Sequence, residues 1–317
     1  MSYLTKYGSF WGFIPDIRGT VYWVAPGATY VIEGSTYSSS DNNDGKSPER
    51  ALATVGQALT LSGDGNGDCI LLLPGAHTSA ASLAGNKAQV RMIGLGGAPG
   101  SPVGGNFIRP RATLTTSAAD EIMNITAADI ELSNIRFIVV TAQTGIDWTS
   151  AASRLYVHDC SFDMTAAAST STIGIGHPGT TYTAAPANVL IQHNYFEVTG
   201  AQGPAIKMGD ATDFIVEKNT IVMKGGTWAI ATLQGGVLGW GTYRDNDFLV
   251  TKNATVTKGI TGTDLTSTLS VAILRNFFGQ TTTTPIDDWG TTDAYIAENY
   301  LASSGGGGGG VLWSSIT

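Results

Sequence analysis

The stretch Val189-Leu190-Ile191-Gln192-His193-Asn194-Tyr195-Phe196 decides the fold, because the chain writes it seven times with variation. Its form is a short apolar strand, a turn and a large apolar residue. Before it come Ile130-x-Leu132-x-x-Ile135-x-Phe137 and Leu155-x-Val157-x-x-Cys160-x-Phe162. After it come Phe214-x-Val216-x-x-Asn219-x-Ile221 and Gly241-x-Tyr243-x-x-Asn246-x-Phe248, then Val271-x-Ile273-x-x-Asn276-x-Phe278 and Ala294-x-Ile296-x-x-Asn299-x-Leu301. The copies close at 137, 162, 196, 221, 248, 278 and 301, spacings of 25, 34, 25, 27, 30 and 23 residues. That is an irregular repeat of about one solenoid coil.

Apolar residues two apart turn one strand face inward, and the next copy must stack on it to bury that face. Asparagine fills one column in five consecutive copies, Asn194, Asn219, Asn246, Asn276 and Asn299. Amides stacked at the ~4.8 Å strand spacing hydrogen-bond along the stack, so these five are read as a structural ladder. A second apolar strand precedes most copies, as in Ile146-x-Trp148, Ile173-x-Ile175 and Ile206-x-Met208. The expected class is all-β: a single-stranded right-handed parallel β-helix with a short N-terminal capping helix and extended terminal arms. A sandwich fits less well, since the repeated coils carry no Asn-Gly hairpin signal and a sandwich needs no column identity.

The 317 residues read as one domain, because a solenoid spends length linearly. Charged residues are 13%, about half the usual share, which suggests surface covered by other copies. A net charge of −8 argues against nucleic acid, whose phosphates need a basic field. No apolar run is long enough to span a membrane or to form a signal-peptide core, so synthesis and assembly in a cytoplasm are expected. Cys69 and Cys160 are too few for a disulfide framework, and Cys160 stands in the asparagine column as a small buried thiol.

Four segments are expected: an aromatic arm at 1–40, a cap with the first coils at 41–112, the β-helix at 113–303 and a glycine-rich tail at 304–317. Tyr3, Tyr7, Phe10, Trp11, Phe13, Tyr22 and Trp23 crowd the arm, where Gly8, Gly12, Pro15 and Gly19 break any helical period. Aromatics of this density are interface anchors or a lid folded back on the coils. In the cap, Asp41-Asn42-Asn43-Asp44-Gly45 and Gly63-Asp64-Gly65-Asn66-Gly67-Asp68 resemble calcium loops but fail the ligand spacing. No metal or cofactor is implied. Ser47 is read as an N-cap with Pro48 at N1, and Leu52, Val55, Ala58 and Leu59 make one apolar helical stripe. Six glycines at 305–310 precede Val311, Leu312 and Trp313, so the last two join the arm as expected contact residues.

The run from Asp41 to Leu59 followed by the run from Gly63 to His77 resembles the opening of pectate-lyase-like β-helix proteins, where a helix plugs the first coil. Together with the opening Met1 to Pro15, it is similar to capsid cement or decoration proteins of tailed bacteriophages with a tailspike-like fold. That resemblance implies a homotrimer on the capsid surface of a virion, bound to the major capsid protein, with the arm and tail as grips and no catalytic site.

The acids supply the alternative, a tailspike or depolymerase that cleaves a host glycan. Asp163 and Glu197 follow the closing Phe of neighbouring copies, about one strand spacing apart. Carboxylates about 5 Å apart suit a retaining glycosidase. His158, Asp159 and His193 lie nearby in sequence space, but the 34-residue spacing is expected to loosen the register. The column Asn134, Asp159, His193, Lys218, Asp245, Arg275 and Glu298 reads as a solvated ladder of ion pairs. Asp287-Asp288 reads as a terminal loop, and Tyr156, Tyr195 and Tyr295 are outward aromatics for glycan binding without cleavage.

Overall fold

A computed structural model describes residues 18–96, 102–103, 106–107, 111–118, 120–140, 143–164, 172–177, 186–198, 203–209, 211–224, 231–232, 236–250, 256–261, 265–279, 282–287, 294–301 and 310–312. The chain is a parallel β-helix of three sheets. A typical coil places Glu131–Ser133 in sheet 1, Ile135–Ile138 in sheet 2 and Thr144–Trp148 in sheet 3, then returns to sheet 1 at Tyr156–His158. Among the described residues, sheets 1 and 2 hold ten strands each and sheet 3 holds eight. All run parallel except Gly310–Leu312, which lies antiparallel on Asn299–Leu301 at the C-terminal end.

The register turns the repeat into columns. Sheet 1 stacks Tyr22, Ile70, Met92, Leu132, Val157, Ile191, Val216, Tyr243, Ile273 and Ile296. Sheet 2 stacks the residues that close the repeat: Phe137, Phe162, Phe196, Ile221, Phe248, Phe278 and Leu301. Phe137, Phe162 and Phe196 lie face to face with centroids 4.9 and 4.7 Å apart. Glycine faces them from sheet 3: a Cβ on Gly174 would lie 3.0 Å from the Phe196 ring and 2.4 Å from the Ala205 carbonyl.

The asparagine column is a continuous ladder buried at 0–1% exposure. The amide of Asn194 donates from Nδ2 to Asn219 Oδ1 at 3.1 Å and to the Val157 carbonyl at 3.0 Å, while its backbone N–H donates to the same Asn219 Oδ1 at 3.0 Å. Asn219, Asn246 and Asn276 repeat this on the next asparagine, ending at Asn299. Cys160 starts the column through its N–H to Asn194 Oδ1, and burial pushes its thiol far above the ordinary value.

The charged column beside the ladder has a conformational cause. Asn134, Asp159, His193, Lys218, Asp245, Arg275 and Glu298 all have φ between 50 and 56°, the left-handed conformation of a tight turn between sheets 1 and 2. What these residues share is backbone geometry, and the expected ladder of exposed ion pairs is seen between adjacent members at Asp245 and Arg275, which meet at 2.8 and 2.9 Å. A second left-handed column, Gln89, Asp129, Arg154, Asn188 and Asp213, precedes the sheet 1 strands.

The N-terminal end departs from expectation in three ways. Val21–Val24, within the segment read as an arm, forms the first rung of sheet 1 on Cys69–Leu72. The capping helix, α1, spans Val55–Leu61; Ser47 makes no cap, and Pro48–Arg50 is a separate 3-10 turn. The reason is Asp41, whose Oδ1 accepts from the N–H groups of Ala53 and Thr54 and holds them outside the helix. Thr54 then caps α1 by accepting from Gln57 N at 3.1 Å, a Thr-x-x-Gln signature legible in the sequence. Third, Thr29–Ile32 and Ser35–Ser38 form a hairpin through Glu33 and Gly34, both at positive φ. It covers a small outer core of Trp23, Ala25, Tyr30, Ala51, Cys69 and Leu71. α1 buries Val55, Ala58 and Leu59 in the main core, as a plug should.

Candidate functional site

Asp163 and Glu197 are register partners in sheet 2, so their backbones lie one rung apart, ~4.8 Å. The long spacing between their copies does not loosen the register. The extra residues fall in the connections that flank sheet 3, at 165–172 and 177–189. Both side chains sit on the outer row of the sheet yet are largely buried, at 8% and 6% exposure.

Each acid is met by a cation. Arg136 Nη2 lies 2.5 Å from Asp163 Oδ2, and Lys224 Nζ contacts Glu197 Oε1. The result is a cluster in which two neighbouring acids, Asp163 and Glu197, are flanked by the cations Arg136 and Lys224. A retaining glycosidase needs one carboxyl protonated and the other ionised. An adjacent cation favours the ionised form of its partner, so this arrangement supplies two electrostatic clamps more readily than an acid and a nucleophile. Arg136 Nε and Ser161 Oγ are buried beside the pair with no hydrogen-bond partner among the described residues.

The neighbouring histidine works elsewhere. His158 Nδ1 lies 2.7 Å from Asp159 Oδ2 and its Nε2 lies 3.2 Å from Glu131 Oε1, with Tyr156 stacked on the ring at 4.0 Å. Burial opposes its protonation, but the hydrogen bonds and charges of Asp159 and Glu131 outweigh burial and raise its pKa. His193 is a left-handed turn residue.

A third polar group escaped sequence reasoning. On sheet 3, His177 Nδ1 lies 2.9 Å from Asp147 Oδ1, which also accepts from Trp148 N at 2.7 Å. Burial raises the Asp147 pKa against the effect of His177, and burial lowers that of Lys207. The register puts Gly176 between Asp147 and Lys207. Only the position of Asp147 between Ile146 and Trp148 could have flagged it, as the outward member of an apolar strand.

The expected contact residues divide. Tyr3, Tyr7, Phe10, Trp11, Phe13 and Trp313 lie outside the described residues. Tyr22 and Trp23 are corrected: at 8% and 6% exposure they are core residues of the first rung, and the Tyr22 hydroxyl donates to the Leu61 carbonyl of α1. Leu312 belongs to the antiparallel strand and pairs with Asn299 in register, which places it at the foot of the asparagine ladder. Of the outward tyrosines, Tyr295 is 54% exposed and Tyr195 only 8%. Tyr156 and Tyr295 share one outer row of sheet 1, five rungs apart. Asp287 ends a sheet 3 strand, and Asp288 lies outside the described residues.

The two calcium-like loops use their acids on the backbone. Asp41 holds Ala53 N, Thr54 N and the Thr54 hydroxyl; Asp68 holds Thr20 N at 2.5 Å and Gly63 N at 2.7 Å; Asp64 holds Ala88 N at 2.7 Å.

No protein-family model and no curated protein matches the chain. Among solved structures, a pectin methylesterase in complex with a hexasaccharide is similar at 9% identity and a TM-score of 0.51, covering 81% of this chain and 87% of that one. Pectin methylesterase PemA from Erwinia chrysanthemi gives 9% identity and a TM-score of 0.47, covering 90% of both chains. The tailspike protein of Acinetobacter phage vB_ApiP_P1 gives 12% identity and a TM-score of 0.35, covering 76% of this chain and 50% of that one. Together with the sheet order, the first of these likenesses shows a right-handed parallel β-helix.

Proposed function

We propose that the chain is a structural virion protein, a homotrimeric cement protein that binds the major capsid protein and stabilises a bacteriophage shell. The observation that carries this reading is the placement of exposed aromatics. Trp240, Phe277, Tyr295 and Tyr300 are 63, 37, 54 and 48% exposed, and all four belong to the last coils. Phe277 and Tyr300 are register neighbours on sheet 2, and Tyr295 stands on sheet 1 across the turn of the same final coil. The exposed large aromatics among the described residues therefore gather in the last coils, and this end, with the aromatic N-terminal segment, is where the chain would bury itself against a partner. Aromatic residues exposed in a cluster are favoured anchors of protein interfaces.

The test is shell binding by the full chain and by a chain lacking residues 1–17, a deletion that spares the rung at Val21–Val24. The truncated protein is expected to keep its β-sheet circular dichroism and lose shell binding. Full decoration by the truncated chain would remove the arm from the account, and Phe277→Ser with Tyr300→Ser would then test the C-terminal aromatics by the mass of the oligomer in solution.

A second reading rests on the register pairing of Asp163 with Glu197 and makes the chain a depolymerase acting on a host polysaccharide. Release of reducing ends from that polysaccharide, lost in Asp163→Asn and Glu197→Gln, supports it. An inactive wild-type protein excludes it.

A further inference from the structure

The two ends of the rod are closed unequally. At the N-terminal end α1 sets Val55, Ala58 and Leu59 into the main core. At the other end the last inward residues of the three sheets, Ile286, Ile296 and Leu301, are only partly buried against that core. Sheet 2 is finished by Gly310–Leu312, with Gly310 opposite Leu301, Val311 opposite Tyr300 and Leu312 opposite Asn299. Leu312 thus takes the position that a further ladder asparagine would hold, and the parallel repeat stops there. Sheet 1 ends differently: among the described residues no strand lies on the far edge of Ala294–Ala297.

That edge has no protection in its sequence. Ala294-Tyr295-Ile296-Ala297 carries no charge and no proline, the devices by which exposed edges avoid pairing. The antiparallel strand supplies a partner by its direction. From Gly310 to Leu312 it runs back toward the corner between sheets 1 and 2, where Glu298 is the left-handed residue. Beyond that corner lies Ala297, the near end of the open edge. The chain after Leu312 reads Trp313-Ser314-Ser315-Ile316-Thr317, and residues 314–317 are enough to span the edge. Trp, Ile and Thr favour strands, and the segment holds no glycine, proline or charge.

We propose that the open edge at Ala294–Ala297 is the docking site of the chain's own residues 313–317, which continue the antiparallel strand round the corner and close the end of the core. In the register set by Gly310–Leu312, Trp313 falls opposite Glu298, Ser315 opposite the inward Ile296, and Ile316 opposite Tyr295, which is 54% exposed. This closure does not depend on what the rod binds. Hydrogen exchange on the full chain and on a chain ending at Leu312 tests it. The backbone of 294–297 should exchange about tenfold or more faster in the shortened chain, with 130–138 unchanged. A second measurement uses the full chain with Tyr295→Cys and Ile316→Cys, treated with oxidised glutathione. Residues opposite one another on paired strands lie within disulfide reach, so a bond within one chain is expected. If the shortened chain loses its last coils altogether, this pair carries the test. Equal exchange in the two chains, cysteines that stay reduced, or cysteines that join only between chains overturns the proposal, the last by assigning the edge to a second copy.

Discussion

The coil has two kinds of corner, and they obey different rules. Between sheets 1 and 2 the turn is nearly invariant: one left-handed residue, then one ladder residue, as in His193-Asn194 or Lys218-Asn219. The corners that flank sheet 3 vary freely, from residues 208–213 in one coil to 177–189 in another. The first corner is fixed because the ladder asparagine in it is buried and its amide must find partners inside the stack, while the left-handed residue before it stays at the surface or half-buried. In the second kind a longer connection costs little closure entropy. The irregular repeat spacing of 23 to 34 residues is therefore variation of one side of the rod around a constant edge.

The comparison breaks most readily at the ladder. Asn219→Ala would strip the acceptor from Asn194 N and Nδ2 and leave the Asn246 Oδ1 and Ile191 carbonyl short of a donor. At about 1–3 kcal/mol for each unmet buried group, the expected loss is about 3–6 kcal/mol by urea unfolding. Phe162→Ala removes the middle ring of a three-ring stack and should cost about 3–5 kcal/mol by the same measurement. His193→Val puts a β-branched residue at φ 53° and should cost about 1–2 kcal/mol, whereas His193→Gly should stay within about 0.5 kcal/mol of wild type. If instead both variants lost stability equally, charge and not backbone conformation would define that column.

A smaller effect follows from His158. Its raised folded pKa means the protonated ring stabilises the fold fully below the unfolded value of about 6.5, and that contribution disappears as pH rises through the folded value. Unfolding midpoints measured in steps from about pH 6 to 8 should fall as pH rises, and His158→Gln should flatten the trend. Least of all, four Gly and Ser residues inserted between 199 and 202 should shift stability by no more than about 0.6 kcal/mol.

The repeated strand–turn–Phe pattern was legible because each coil repeats one physical problem, burial of the same face, and the solution leaves the same residue types at the same offsets. Asp163 and Glu197 were placed correctly for that reason. The cations that neutralise them were not, because Arg136 and Lys224 come from other rungs and follow no shared column. Left-handed residues hid in plain view: Asp, Asn, His, Lys, Arg and Glu all tolerate that turn when the next residue is held by the ladder, so composition masked geometry. Tyr22 and Trp23 misled because an aromatic two-residue signal reads alike at an interface and in the first layer of a core. The hairpin at 29–38 turned on Glu33-Gly34, a weaker signal than the Asn-Gly that a positive-φ turn favours.

Imaging bacteriophage particles mixed with the purified chain, at a resolution that separates individual subunits, tests the proposed role most directly. The account predicts threefold clusters of β-helical rods on the head shell, held by the N-terminal segment and by the edge bearing Phe277, Tyr295 and Tyr300. Rods attached at the tail, with the head shell bare, would contradict it.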